Sequence, residues 1–543
     1  MPEPTADASR SEATRKELRS LFESGAVYAD RFPPHVRDAL DVPDELTEVV
    51  CKALVARQAV VISGNAGDGK SHLAQRALDQ MPTRTCVEVT KGTKDFAHIP
   101  EDAVVFLRDV SALSDRQALD AVAAAQAAGS AVLVTINEGP LDTLSRHPDG
   151  AFFAQMRDAL HARARGLDPD DPPNTRIISL AGRQLSRSQF IEGALDRLLP
   201  VVPACSTCGK SPSCPRLHGA RMLRKSKRAR ERLSLLVELL TDKGRHLSAR
   251  EIWVFLIELF FGWTCPAGAD DVDRAAGYFW SRLFDGSTRV AAEIAAEFDP
   301  VNAPMPREDA QLWKGDFGDL TFDQEFPGGS PATLAREERR EGLIAFQSAK
   351  RAYFFFGKAV DASQLLARQS LAPRFGQLLR DAADDERRVI RDVVTLVNGY
   401  RIANRSANEL WISRHHSMAA HRRPRSLAAA YKLPIERLGV RIPFAADART
   451  YPGAGFFPDR LLLHWDGSEQ VFVVSFDTWE RLQETRSLTV DRDQESLDFA
   501  LDLFMAQAPA PPIEDPEILF YDHARNEEIL IRVKPAERRV EIL

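Results

Sequence analysis

Eight consecutive residues constrain this chain more than any other stretch: Gly64-Asn65-Ala66-Gly67-Asp68-Gly69-Lys70-Ser71, with His72 directly after. They match G-x-x-x-x-G-K-[S/T]. They also sit between an apolar run, Ala59–Ser63, and a helical pattern over His72–Met81. Glycines let the backbone curl until several N–H groups face one anion. A helix that begins at the curl turns its positive end toward the same point. Lys70 is then placed to meet the β- and γ-phosphates of a nucleotide, and the Ser71 hydroxyl to ligate Mg²⁺. Residues 64–72 are the expected cradle for ATP and Mg²⁺. The alternative is a glycine turn that binds nothing.

The surroundings extend the argument. The apolar runs Thr85–Val89, Ala103–Leu107, Ala131–Ile136 and Arg176–Leu180 alternate with helical segments such as Arg116–Ala128. Buried strands alternating with helices predict a parallel sheet, and together with the loop the pattern resembles an α/β P-loop NTPase core of the ASCE type. An acid at the C-terminal end of such a strand faces the ligand crevice. Asp109 is therefore the candidate second Mg²⁺ contact, with a cap for Val110-Ser111-Ala112 as the alternative. Position 110 is Val where many ATPases carry a water-polarising Glu. Asn137 ends the next apolar run and is expected between the phosphate loop and the Asp109 strand, where an amide orients water. Glu138 either supplies the missing base or turns the chain before Gly139-Pro140. Arg183 follows the last strand. It reads as a finger acting across the interface of a homo-oligomer, or else as a surface residue or structural ion pair.

Taken together, the P-loop, the Asp-ended strand, the Asn-ended strand and the helical region behind them resemble the AAA+/STAND branch of P-loop ATPases, over roughly residues 40–265. The resemblance implies a helical lid that contributes a second sensor arginine. Arg245–Ile252, leading into the apolar Trp253–Phe261, is similar to that lid, and Arg250 matches the sensor. More narrowly, GNAGDGKSHL, RDVSAL, TINEG and the downstream Cys-x-x-Cys…Cys-Pro resemble bacterial defence-island ATPases of the DptF type, from phosphorothioation-dependent restriction systems. That resemblance implies an ATP-hydrolysing motor or switch working with partner proteins in an anti-phage DNA restriction complex. Two other readings stay open. One is a nucleotide-dependent scaffold with little turnover, which Val110 favours. The other is a DNA helicase or translocase.

Beyond the core, Cys205, Cys208, Cys214 and His218 are spaced C-x₂-C-x₅-C-x₃-H. Three thiolates and an imidazole suit a structural Zn²⁺, with Cys265 as a rival fourth ligand. A redox pair, an iron–sulfur site and free thiols are the alternatives. Cys51 and Cys86 are expected to be buried thiols. Between Arg216 and Arg232, eight cationic residues stand against Glu231 alone. They are placed to contact DNA phosphates, or else form a solvated helix face. The whole chain carries a net charge of −7, so any contact with nucleic acid must be local. No run approaches the ~20 apolar residues that cross a membrane. The N-terminus lacks the apolar centre of a secretory signal. A cytoplasmic protein with reduced thiols is expected. The chain divides into a helical lead-in (1–45), the P-loop core (46–190), a helical lid with the Cys-rich loop and basic helix (191–300), a mostly helical region (301–440) and a strand-rich α+β region (441–543).

Overall fold

The computed structural model describes residues 16–18, 20 and 40–543, apart from 82–83, 94–95, 97, 188, 203–213, 264–274, 317–329, 403–405, 414–426, 484–491, 510–516 and 523–526. Most of the expected helical lead-in therefore lies outside the described residues.

The first part of the chain alternates helix and strand. Helix α1 (Glu45–Val55) is capped by the Asp44 carboxylate, which accepts the Leu46 N–H at 3.0 Å. Strand β1 (Ala59–Ser63) and helix α2 (Lys70–Asp79) flank the glycine-rich loop. Next come β2 (Cys86–Glu88), β3 (Val104–Leu107), α3 (Asp115–Ala127), β4 (Ala131–Ile136), α4 (Glu138–Ser145), α5 (Ala151–Ala164) and β5 (Thr175–Ser179). The five strands form one sheet in the order β2-β3-β4-β1-β5, and every pairing in it is parallel. β4 lies between β1 and β3, with Ser63 opposite Ile136 and Leu107 opposite Val134.

The runs of β1, β3 and β4 are apolar almost throughout because both faces of the sheet are covered there. Alternate side chains go to opposite sides. Val61, Val105, Leu107, Val132 and Val134 pack with Val122 of α3 and with Phe153 and Met156 of α5. Val60, Ile62, Phe106, Leu133 and Ile178 pack with Leu46 and Val50 of α1 and Leu73 of α2. Of the two core cysteines expected to be buried, Cys51 is half-buried and Cys86 is exposed. Cys86 sits on β2, an edge strand, where one flank has no neighbouring strand to cover it.

The second face holds three residues from far along the chain: Tyr451, Ala454 and Phe456. Residues 444–458 run across the open flank of β5. Gln184 N–H donates to Gly455 O at 2.7 Å, and Arg183 bridges Phe456 in antiparallel fashion. This strap belongs by sequence to the strand-rich last hundred residues, yet it completes the α/β core.

The middle of the chain is helical. It runs through α6 (Phe190–Leu198), α7 (Pro215–Lys225), α8 (Lys227–Asp242) and α9 (Ala249–Phe261), followed by further helices up to Ile402. One hydrophobic cluster spans this region and continues into the C-terminal part, joining Leu236 and Phe255 to Trp280, Phe354, Val393, Trp465 and Phe476. Two antiparallel sheets follow: β8 (Leu438–Arg441), β9 (Leu461–Trp465) and β10 (Val471–Val474) form one. β6 (Glu409–Ser413), β7 (Leu427–Pro434), β11 (Glu517–Asp522), β12 (Glu527–Lys534) and β13 (Arg539–Ile542) form the other. Besides its helices, the region 301–440 contributes β6 and β7 to the second of these sheets, because short apolar runs take their type from the partner strands they find. Among the described residues, no helix is long and apolar enough to cross a membrane.

Candidate nucleotide site at the phosphate loop

The loop leaves β1 and enters α2 through two glycines in the left-handed region, Gly67 and Gly69, each with φ 93°. A side chain at either position would be strained. At Gly67 it would also meet α9, since a Cβ there would lie 3.2 Å from both Arg250 Cβ and Ser248 Oγ. The Arg250 N–H donates to Gly67 O at 3.1 Å. Ser248 and Glu251 close a capping box at this helix start, which fixes the first turn of α9 against the loop.

Inside the curl, Lys70 Nζ donates to Gly64 O at 3.0 Å and to Asn65 O at 2.6 Å. Burial pushes the Lys70 pKa down; Asp68 and Asp109 pull it up, and Arg250 pushes it down again. The Asp68 carboxylate accepts the Asn65 N–H at 2.6 Å and contacts His246 Nε2 at 2.7 Å. A carboxylate facing a ring nitrogen needs that nitrogen as the donor. His72 lies 3.5 Å from Asp41, which also pairs with Arg76 at 2.7 Å.

Three strand ends converge beside the loop. Ser71 Oγ donates to Arg108 O at 3.4 Å, and the Thr135 hydroxyl donates to the same carbonyl. Ser71 is thus set next to Asp109. Asp109 Oδ1 accepts from the Ser111 N–H at 3.1 Å and caps the turn Val110–Ala112. Asn137 directly follows β4, and its Oδ1 is buried with no hydrogen-bond partner among the described residues. Glu138 is exposed in the first turn of α4.

Arg183 is placed otherwise than a finger needs. It is buried, donates through Nε to Ala454 O at 2.7 Å, and pairs through Nη1 with Asp44 at 2.9 Å. Its charge ties the strap and the cap of α1 to β5. Arg187 is likewise internal. It pairs with Asp242 and stacks 3.7 Å from the Phe457 ring centroid, and burial lowers its pKa to about 10.

The expected zinc loop falls mostly outside the described residues, which is the case for Cys205, Cys208 and Cys265. Cys214 caps α7, and His218 follows one turn later, buried edge-on to Tyr278. Among the described residues, no group of three or more His, Cys, Asp or Glu side chains is arranged to hold a metal. The basic stretch splits in two. Arg216 and Arg232 are buried, with Arg232 donating to the Phe354, Gly357 and Val360 carbonyls. Arg230 pairs with Glu192 and Asp196. Arg221, Arg224, Lys225, Lys227 and Arg228 remain exposed around the α7–α8 elbow.

Residues that sequence reasoning missed are His246, Thr135 and Asp44. Nothing local marks their distant partners: His246 meets Asp68, Thr135 the Arg108 carbonyl, and Asp44, besides capping α1, meets Arg183 only through the fold.

Against known proteins, a family model described as parvovirus non-structural protein NS1 matches residues 32–148. That span holds the loop, β1 to β4, Asp109, Asn137 and Glu138. No curated protein and no solved structure matches the chain. The match corrects the resemblance drawn above. The likeness is to a viral non-structural protein, and the assignment to AAA+/STAND-type bacterial defence ATPases falls, together with antiviral defence and DNA restriction. The strings GNAGDGKSHL, RDVSAL and TINEG misled because strings this short recur on unrelated chains.

Proposed function

We propose that this chain is a P-loop NTPase that binds ATP with Mg²⁺ at residues 64–72 and hydrolyses it, and that nucleotide occupancy is felt by the helical region through α9. The observation that carries the reading is the convergence at one point of the curled loop, Ser71, Asp109 and the unpartnered Asn137 Oδ1. The sheet order, with β4 between β1 and β3, supports an ASCE-type core. Lys70 would leave the loop carbonyls for the phosphates. Ser71 and Asp109 would hold Mg²⁺, which neutralises charge on the phosphoryl oxygens when bound. Their oxygen donors suit that hard cation. Asn137 would orient the attacking water and Glu138 accept its proton. Arg250, at the loop-facing end of α9, would report the nucleotide to the helices.

The test is ATP binding and turnover in Lys70→Ala. Sharp loss of either is expected, and unchanged binding with unchanged hydrolysis overturns the reading.

A second reading makes the activity that of a nucleic-acid helicase or translocase. It is favoured by the NS1 match over 32–148 and by the exposed cations at the α7–α8 elbow. Stimulation of ATP hydrolysis by DNA separates it from plain nucleotide switching.

A further inference from the structure

Asp68 is the one acidic residue within residues 64–71, and it lies inside the curl. A Cβ on Gly64 would come within 2.8 Å of Asp68 Oδ2, so the carboxylate sits against the first glycine of the loop. It takes the Asn65 N–H for itself and is buried. A loop that receives polyphosphate would thus carry its own anion, seated on one of its N–H groups and against its first glycine. An anion so placed repels phosphate unless a cation compensates it. Lys70 is bound to the loop carbonyls of Gly64 and Asn65, and the direct contact to Asp68 comes from His246.

His246 lies on the segment between α8 and α9, not on the nucleotide core. Three elements face it with acids: the loop with Asp68, α9 with Glu251, and the segment after the strap with Asp459. Glu251 is already engaged by Arg245 at 2.9 Å, and Asp459 lies beside Arg460 at 3.4 Å. Asp68 has His246 at 2.7 Å.

We propose that His246 is a positioning residue for the phosphate loop: reaching in from the helical region, it holds the Asp68 carboxylate and offsets its charge, so that polyphosphate affinity depends on this contact. The inference rests on the reading of the loop as a nucleotide site. It adds that the helical region governs loop affinity through a side chain as well as through the Arg250–Gly67 backbone bond. The loop then binds phosphate well only while the segment before α9 is docked. When His246 loses its proton, the offset weakens and affinity falls.

Calorimetric titration of the full chain with Mg-ATP, and separately with tripolyphosphate, tests this in four proteins: wild type, His246→Gln, Asp68→Asn and the double variant. His246→Gln is expected to weaken both ligands by about tenfold at mildly acidic pH. Asp68→Asn should tighten them, and the double variant should behave like Asp68→Asn alone. Wild-type affinity should fall as His246 deprotonates, a component absent from His246→Gln. Equal losses from His246→Gln in both backgrounds, or no loss in either, overturn the proposal. Thermal melting of each variant tells a folding defect, which lowers affinity in both backgrounds, from loss of charge compensation, which acts only when Asp68 is present. If the wild type binds neither ligand, the nucleotide reading itself fails. Binding without the predicted non-additivity leaves that reading standing and removes this inference alone.

Discussion

Arg163 Nη1 lies 3.0 Å from Asp447 Oδ1, joining α5 to the strap across a sequence separation of 284 positions with both residues buried. The same guanidinium donates to Ile177 O at 3.1 Å and pairs with Asp171 at 2.5 Å. Burial pushes the Asp447 carboxyl pKa up, while Arg163 pulls it down. One buried cation thus gathers a helix, a strand, a loop and the strap. Breaking a buried pair from one side strands a charge. Arg163→Met leaves the buried Asp447 carboxylate without its cation and should cost about 3 kcal/mol in denaturant unfolding, whereas Asp447→Ala, which leaves Arg163 paired with Asp171, should cost about 1–2 kcal/mol. A loss in Asp447→Ala under about 0.5 kcal/mol, the ordinary surface range, would show that the strap is held without this ion pair, by its backbone bonds and the packing of Tyr451 and Phe456.

The His246 pKa is raised above its ordinary 6.5, chiefly by its hydrogen bond to Asp68. A group whose folded value is raised adds stability that is complete below the unfolded value and is lost as pH climbs through the folded one. The melting temperature of wild type should therefore exceed that of His246→Gln most at about pH 6 and approach it as pH rises past the folded value. A gap that does not change with pH would place the stabilisation in packing and not in charge.

Affinity and turnover should separate at the strand ends. Asp109→Asn should bind ATP nearly as wild type and hydrolyse it poorly, because the loop is left intact. Glu138→Gln keeps size and polarity and should lose roughly 10²-fold or more in turnover, trapping bound ATP. Steady-state hydrolysis beside equilibrium binding checks both. Normal turnover in Asp109→Asn reduces that residue to the cap of Val110–Ala112, and normal turnover in Glu138→Gln reduces it to a turn former.

The basic stretch should divide by exposure. Replacing Arg221, Arg224 and Arg228 by Ser should weaken nucleic-acid binding and flatten its salt dependence by roughly 0.7–0.9 in the log–log slope per lost phosphate contact. Arg232→Ala should lower the melting temperature instead, since it frees the buried Phe354 and Gly357 carbonyls and the half-buried one of Val360. Identical salt slopes for wild type and the triple variant would exclude the elbow as a phosphate surface.

Zinc content follows from the cysteine spacing. About one Zn²⁺ per chain is expected, held by Cys205, Cys208 and Cys214 with His218 or Cys265. Cys214 and His218 lie four residues apart at the start of α7 and so share one helix face. Elemental analysis of protein purified without chelator decides, and metal-free protein with freely titrating thiols refutes the site. With zinc present, the faster metal release of His218→Ala or Cys265→Ala names the fourth ligand.

How much was legible varied with the range of the interaction. The five strands of the α/β core could be read because each is a short apolar run next to a helix pattern, and the loop because its glycines, Lys70 and Ser71 are contiguous. β6 and β7 could not, since nothing local marks Glu409–Ser413 as a strand until β7 pairs with it. Arg183 stayed open between a finger, a surface residue and a structural ion pair because its partners, Asp44 and Ala454, stand 139 and 271 positions away. The defence-system resemblance failed for a related reason: short strings record local chemistry and carry little of a chain's ancestry.

By itself, the sequence determined the elements whose stability is local. These are the buried strands, the capped helices α1 and α9, and a loop whose Gly67 and Gly69 alone tolerate left-handed backbone. Only the tertiary structure decided which distant groups meet: α9 against Gly67, the strap against β5, Arg163 with Asp447, and His246 with Asp68. The physical reason is that dihedral preference and hydrophobic period act over a few residues. Charge compensation and burial act through space, and their partners are chosen once the chain has closed on itself.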